Sequence, residues 1–339
     1  MKEKIILLNK LMEDNSKFSH IYQPGIYWKK KNIQTYKEIL KKGINKFRGS
    51  DNRIGESFSD NQNINILNDY YGGIRGVFKF LFEKIYPFKN IFIRQISLTS
   101  FFRKELNLYK SKYLENNNHV KELSKNFIFE DTINFGCEDY SVIDEKKISN
   151  YYLTIADTHL NFKKHINFNG ITSLFEIGGG FGANIHFILK NYKNIKKIIY
   201  LDLPVNLYIG TEYLRFFYGD SVKDYLTNHD KEIFFEDNDK LEIICIPPWK
   251  ILDIKTSFDV FQNSNSFVEM SEDIIKNYVT LIEKNMNKNS KIALSSYGNF
   301  NSKTTIDPKS LNKFFKEDLE IFNYPSMIPG RENIFLFSK

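Results

Sequence analysis

The sequence predicts an α/β protein: a parallel sheet built from alternating strands and helices, preceded by a mostly helical region. From Ile171 onward, short β-rich apolar runs alternate with helical stretches of about ten residues or more, the rhythm of βαβ units. Before that point, helical spacing prevails and strand signals are sparse. A glycine-rich turn stands where the first strand of the alternating region meets its first helix.

In chain order, helices are expected at 3–13, 33–44, 75–86 and 100–115. Segment 43–60 carries turn formers and charges without helical period, which reads as an ordered loop. Gly72-Gly73 precedes an apolar stripe, Val77 to Ile85, whose pattern suits a core helix. The alternation then gives a strand at Ser173–Ile177, a helix at Ala183–Tyr192, a strand at Lys197–Leu201 and a helix at Asn206–Phe217. Strands follow at Leu241–Ile246 and Phe258–Phe261, a long amphipathic helix at Glu272–Met286, and a strand at Lys291–Ser295. Leu319–Phe322 and Asn333–Phe337 supply late strands. The expected organisation is a mostly helical substrate and lid domain over 1–150 and a Rossmann-like domain with a seven-stranded sheet over 151–339.

The chain has 339 residues, 42% of them hydrophobic and 16% aromatic, enough to bury a core in each of two domains. Disordered chains lack such large apolar side chains. The net charge of +7 comes from basic residues spread among acidic ones, whereas a nucleic-acid binder clusters them on one element; no nucleic-acid partner is expected. Cys137 and Cys245 cannot form a disulfide framework and show no metal-type spacing. The amino-terminal apolar run is too short for a signal peptide, and no segment reaches the roughly 20 apolar residues that span a bilayer. These features predict a cytoplasmic protein without integral membrane association, and leave open whether it forms a homo-oligomer.

The most informative stretch runs from Leu174 to Asn184. It places Glu176, Gly178, Gly180 and Gly182 in the pattern E-x-G-x-G-x-G. A ligand approaches backbone closely only where no Cβ intrudes, and the turn from strand to helix uses positive φ values that other residues resist. Amides at the start of the following helix face the ligand. Twenty positions beyond Gly182, Asp202 ends the second strand, where a carboxylate can accept from both ribose hydroxyls of a nucleoside. Together these residues predict an adenosine site.

Two nucleotide classes fit, because Gly178-x-Gly180-x-x-Ala183 also satisfies the dinucleotide fingerprint. An acid at Glu176 suits the methionine end of S-adenosylmethionine, whereas a pyrophosphate gains only repulsion from it. About one sheet's worth of chain follows Gly182, with little room for a separate catalytic domain. The rival is an NAD-dependent oxidoreductase acting on a sugar nucleotide, and a non-catalytic protein retaining the fold is a third reading. A P-loop is excluded, since G-x-x-x-x-G-K-[ST] does not occur.

The motifs Phe-Glu-Ile-Gly-Gly-Gly-Phe-Gly (175–182), Leu-Asp-Leu-Pro (201–204), Asn-Leu-Tyr-Ile-Gly-Thr-Glu-Tyr-Leu (206–214), Ile-Pro-Pro-Trp (246–249) and Asn-Ser-Asn-Ser-Phe-Val-Glu-Met (263–270) carry a resemblance over most of the chain. It resembles the bacterial sugar O-methyltransferases of the class I, S-adenosylmethionine-dependent superfamily. The resemblance implies methyl transfer to a sugar hydroxyl during assembly of a surface polysaccharide or related glycan. It also implies that Glu176, Gly178, Gly180 and Gly182 form the first cofactor motif and that Asp202 is the ribose-binding acid. Where that superfamily often offers an acid near the adenine, this chain has Pro247-Pro248-Trp249, so Trp249 either stacks on the base or packs in the core.

Methyl transfer to a hydroxyl needs the oxygen held in line with the methyl and a base to take its proton. Substrates of open α/β sheets bind at the carboxyl ends of the strands, which brings Asn263 to Glu269 forward. Glu269 is the leading base, with Asn263, Asn265 and Ser266 as hydrogen-bonding neighbours of the substrate; the competing reading is that Ser266-x-x-Glu269 forms a capping box. His159 and Asp157, shortly before the glycine loop, are further catalytic candidates. His186 reads as a packing or polar-face residue, and Glu236, Asp237 and Asp239 as a solvated acidic run. No metal is expected.

Overall fold

In the computed structural model, residues 2–49, 114, 117–298, 304–326 and 332–338 are described. The expected helix at 75–86, the Val77–Ile85 stripe after Gly72-Gly73, the helix at 100–115 apart from Leu114, and all but the first seven residues of the 43–60 loop lie outside them. The chain divides into two compact units: residues 1–41, 157–326 and 330–339 form one, and 42–156 with 327–329 form the other. Residues 1–41, which the sequence assigns to the amino-terminal domain, thus belong to the unit that contains the large sheet.

Among the described residues, the elements begin with helices α1 (Lys2–Asn15), α2 (Ile26–Lys42) and α3 (Asn118–Asn126). Strands β1 (Tyr140–Ile143) and β2 (Lys146–Ser149) form an antiparallel hairpin, followed by helix α4 (Asn150–Phe162). The hairpin turn runs through Asp144 and Glu145, both at positive φ, the backbone of a type I′ turn. Neither residue is glycine or asparagine, so the usual hairpin signal is absent. Asn117 caps α3 by accepting from the amides of His119 and Val120. Leu114, Val120, Ile143, Ile148 and Leu153 make a small buried cluster, and the buried Arg48 donates to Thr132 O and Ser149 Oγ, both at 2.7 Å.

The large sheet starts with β3 (Ser173–Ile177), α5 (Ala183–Asn191), β4 (Lys197–Leu201) and α6 (Pro204–Tyr218). Then come β5 (Val222–Lys223), β6 (Glu242–Ile246), β7 (Phe258–Ser264), α7 (Glu272–Asn285), β8 (Met286–Tyr297), β9 (Glu320–Pro325) and β10 (Glu332–Phe337). The strand order is β5-β6-β4-β3-β7-β8-β10-β9. Strands β5 to β8 pair in parallel, whereas β10 inserts antiparallel between β8 and β9. This is the Rossmann-like arrangement of class I methyltransferases. The sheet has eight strands where seven are expected, because the two residues of β5 add an edge beside Ile243 and Ile244.

Every residue of β3 and of β6 is buried, as parallel strands covered on both faces require. The order reverses direction at β3, with β4 on one side and β7 on the other. Such a switch point opens a crevice at the strands' carboxyl ends, and the loops after β3, β4 and β7 therefore frame the site.

Candidate functional site

The glycine loop leaves β3 directly after Ile177. Gly178, Gly180 and Gly182 adopt φ of 78°, 65° and 82°, while Gly179 between them does not enter that region. The three glycines picked out by spacing are thus the three whose backbone is left-handed. A Cβ added at Gly180 would meet no atom of the described residues within 4 Å, so among them the backbone there borders open space. The Gly180 amide donates to Asp202 Oδ2 at 2.8 Å, and its carbonyl accepts a short bond from Tyr200 Oη.

Asp202, at the end of β4, also accepts from the Leu203 amide at 2.7 Å and from Asn206 Nδ2 at 3.2 Å. Burial pushes its carboxyl up to about 7 against these bonds. Glu176 lies on β3, 1% exposed. Its Oε1 accepts from Asn184 Nδ2 at 2.7 Å, and its Oε2 has no hydrogen-bond partner among the described residues. Burial, reinforced by the nearby Asp202, raises this carboxyl to about 8. Gln262, the register partner of Glu176 on β7, is fully buried with neither amide atom bonded among the described residues. A buried polar group without a partner is costly, and three such atoms lie on these adjoining strand positions.

The loop after β7 is organised differently. Asn263 Nδ2 donates to Ile177 O at 2.8 Å and to Ser266 Oγ, while its Oδ1 accepts from the Phe267 amide at 3.1 Å. Ser266 Oγ lies 3.3 Å from Ile177 O and occupies the space a Cβ on Gly178 would need. Asn265 sits at φ 67°, with its Oδ1 accepting from the Tyr297 amide at 2.9 Å. These bonds tie β7 to the strands beside it, so Asn263 and Ser266 serve as structural ties rather than as free substrate donors.

Glu269 is 8% exposed. The capping-box reading fails, because Ser266 makes no side-chain cap bond and the Glu269 carboxylate goes elsewhere. Its Oε2 accepts from Trp28 Nε1 at 2.6 Å and its Oε1 from Tyr297 Oη at 3.2 Å. Trp28 comes from the first turn of α2, far away in sequence, and no motif in the sequence points to it.

Three other candidates are corrected. Trp249 is 2% exposed, stacked on Phe18 at 4.9 Å and 9°, with its Nε1 3.2 Å from Tyr225 Oη; the indole packs in the core. His159 is fully buried on α4, its Nε2 2.9 Å from Asn184 Oδ1, so it stands behind the glycine loop and cannot serve as a base toward an acceptor. Asp157 is 1% exposed on the same helix, two residues away and hence on roughly the opposite side. His186 packs at 4.1 Å from Phe217 and pairs with Tyr218 Oη, as a packing residue would. Glu236, Asp237 and Asp239 are exposed. Cys137 and Cys245 are both unbridged. Among the described residues no group of three or more His, Cys, Asp or Glu could hold a metal, and no helix is long and apolar enough to cross a membrane.

The glycine loop and Asp202 meet at the carboxyl ends of β3 and β4 in the Rossmann-like sheet. Residues 113–234 match a family described as an O-methyltransferase domain, a span that contains β3, the glycine loop and Asp202. Fold and match together indicate S-adenosylmethionine as the cofactor. Similar solved structures include the mitomycin 7-O-methyltransferase MmcR, 11% identical with a TM-score of 0.37, over 55% of this chain and 54% of that one. The pyocyanin biosynthetic protein PhzM is 10% identical with a TM-score of 0.38, over 56% of each chain. An S-adenosylmethionine-dependent methyltransferase from Clostridium acetobutylicum is 10% identical with a TM-score of 0.35, over 54% of this chain and 90% of that one. The chain thus spans little more than half the length of the first two. No curated protein matches it. The residues fit the cofactor: among the described residues Gly180 leaves room beside the backbone, and Glu176 Oε2 is an acceptor without a donor.

Proposed function

We propose that this chain is an S-adenosylmethionine-dependent O-methyltransferase whose acceptor is a sugar hydroxyl, acting in the assembly of a surface polysaccharide or related glycan. The observation that carries the reading is the charge the site asks for. Glu176 and Asp202 are two buried carboxyls, both held above their ordinary range, and neither has an ion pair with Lys, Arg or His among the described residues. A cationic ligand favours their ionised forms. S-adenosylmethionine brings an ammonium and a sulfonium, whereas the pyrophosphate of a dinucleotide would oppose ionisation of the two carboxyls further. The family match supports oxygen as the methyl acceptor, and the motifs at 201–204, 246–249 and 263–270 support a sugar.

The bound cofactor would supply an electrophilic methyl group. The backbone at 178–182 would carry its adenosyl part, Asp202 would accept from the ribose hydroxyls, and Glu176 Oε2 would accept from the ammonium. Glu269 would take the proton of the acceptor hydroxyl, with Trp28 and Tyr297 orienting its carboxylate. Asn265, beside Tyr297, would line the acceptor end. Calorimetric titration of purified protein with S-adenosylmethionine and with NAD tests the assignment; tight binding of NAD alone would overturn it. Mass spectrometry of glycans from cells with and without the gene tests the acceptor, the expected difference being one CH₂ unit on a sugar.

A further inference from the structure

Behind the glycine loop, three buried side chains form a continuous hydrogen-bonded line. His159 Nε2 lies 2.9 Å from Asn184 Oδ1, and Asn184 Nδ2 lies 2.7 Å from Glu176 Oε1. The two ends are 0% and 1% exposed. With Asn184 donating its amide nitrogen to Glu176, the direction of the second bond follows. An amide that gives its nitrogen to a carboxylate offers only its oxygen to the other neighbour, so His159 must carry its hydrogen on Nε2. The imidazole is neutral, because burial lowers it to about 4. Phe162, Phe168, Phe187 and Tyr192 surround it with ring centroids 5.1 to 5.9 Å away, and Nδ1 finds no partner among the described residues. A histidine held this way contributes a single fixed N–H.

We propose that His159 is a positioning residue for the cofactor site: it orients Asn184, which holds Glu176 Oε1 and leaves Oε2 to the cationic end of the ligand. This rests on the S-adenosylmethionine reading above. Asn184 lies in the first turn of α5, directly after the glycine loop, so the line ties the strand, the loop's helix and α4 at one point. Without the histidine donor, the Asn184 amide is free to turn over and present its oxygen to Glu176, which repels the ionised carboxylate. The other groups facing Glu176 are Asp202 and Tyr200 from β4 and Gln262 from β7, with Lys163 just past the end of α4, one turn beyond His159. Asp202 opposes ionisation of Glu176, so Asn184 is the neighbour that sustains it.

The test is S-adenosylmethionine affinity of the full chain measured calorimetrically from mildly acidic to mildly alkaline pH. The ligand's own ammonium titrates alike for every variant, so differences between variants report the protein. Binding should tighten as pH rises and Glu176 ionises. His159→Phe keeps an aromatic ring in the cage but loses the donor. Its profile should move up by about one pH unit, with affinity about tenfold weaker near neutrality. Asn184→Leu should shift the profile at least as far. His159→Gln restores an N–H donor and should return the wild-type profile. A wild-type profile for His159→Phe, or an equal shift for His159→Gln and His159→Phe, would overturn the relay alone. Should His159→Phe fail to fold, Asn184→Leu and His159→Gln decide the matter by the same profiles. Absence of S-adenosylmethionine binding by the wild-type chain at every pH would instead overturn the cofactor reading, and the relay with it.

Discussion

The loops after β3 and β7 leave neighbouring strands of one sheet at the same end, yet they treat their polar groups in opposite ways. After β7, Asn263 uses both ends of its amide and Ser266 its hydroxyl on the protein's own backbone and side chains. Around the glycine loop, Glu176 Oε2 and both amide atoms of Gln262 are buried without partners among the described residues, none of which fills the space beside Gly180. A folded chain tolerates such unmet groups where a ligand meets them, since structure alone gains nothing from them. The contrast separates a loop whose polar groups close their bonds within the fold from one that leaves some of them unmet among the described residues.

The comparison is sharpest at Gly180. Gly180→Val should lower S-adenosylmethionine affinity by more than about a hundredfold in a binding titration, because a branched side chain would fill the space bordering the backbone. Its left-handed φ also disfavours valine, so Gly180→Ala serves as control. That variant should stay folded, at a cost of about 1–2 kcal/mol, and still bind poorly. Unchanged affinity in both would make the loop purely structural.

Next in size is Glu269→Gln, whose amide oxygen can still accept from Trp28 and whose amide nitrogen can donate to Tyr297 Oη, but which removes the base. Turnover should fall by about 10²-fold or more, with cofactor affinity unchanged. A loss confined to cofactor affinity would remove Glu269 from the chemistry.

Glu176→Gln should weaken cofactor binding by about tenfold while changing how stability depends on pH. The sign follows from burial: the folded carboxyl titrates near 8, the unfolded one near 4.5. Between those values the folded state binds more protons, so wild-type stability without ligand falls as pH rises through the window. The glutamine variant should lack that contribution, and thermal melts across the window would show it as a shallower decline. An identical decline would mean that Glu176 is not the titrating group.

The β7 loop gives the smallest effects on binding. Asn263→Ala leaves the Phe267 amide without its partner and Ile177 O with only the Ser266 hydroxyl, and should cost about 2 kcal/mol of stability, read by denaturant unfolding, while cofactor affinity per folded molecule changes little. Ser266→Ala should cost less, about 1 kcal/mol. A large affinity loss with unchanged stability in either variant would return these residues to the substrate site.

Much of the sheet was legible because its strands are short, apolar and separated by strong punctuation. β3 and β4 begin and end where the pattern places them, and α5 and α7 are one residue shorter than expected. The α1 helix is close to expectation, whereas α2 begins seven residues early, at Ile26, in a stretch where Gly25 and clustered polar residues obscure the helical period. The β1–β2 hairpin was not legible, because Asp144 and Glu145 hold positive φ without the residues that announce it. Glu176, the three left-handed glycines and Asp202 were legible because backbone sterics and charge act over a short span. Trp28, Asn184, Tyr200 and Gln262 were not, since each acquires its meaning from a partner brought close only by folding.

By itself the sequence determined the alternation of strand and helix, the loop that must lack side chains and the acid one strand away, since each rests on local sterics and periodicity. Only the tertiary structure decided which polar groups are satisfied. It gave Trp28 to Glu269, placed His159 behind Asn184, closed Phe18 over Trp249 and bound Asn263 to the backbone of β3. Hydrogen-bond satisfaction depends on neighbours from distant segments, and no local pattern encodes it.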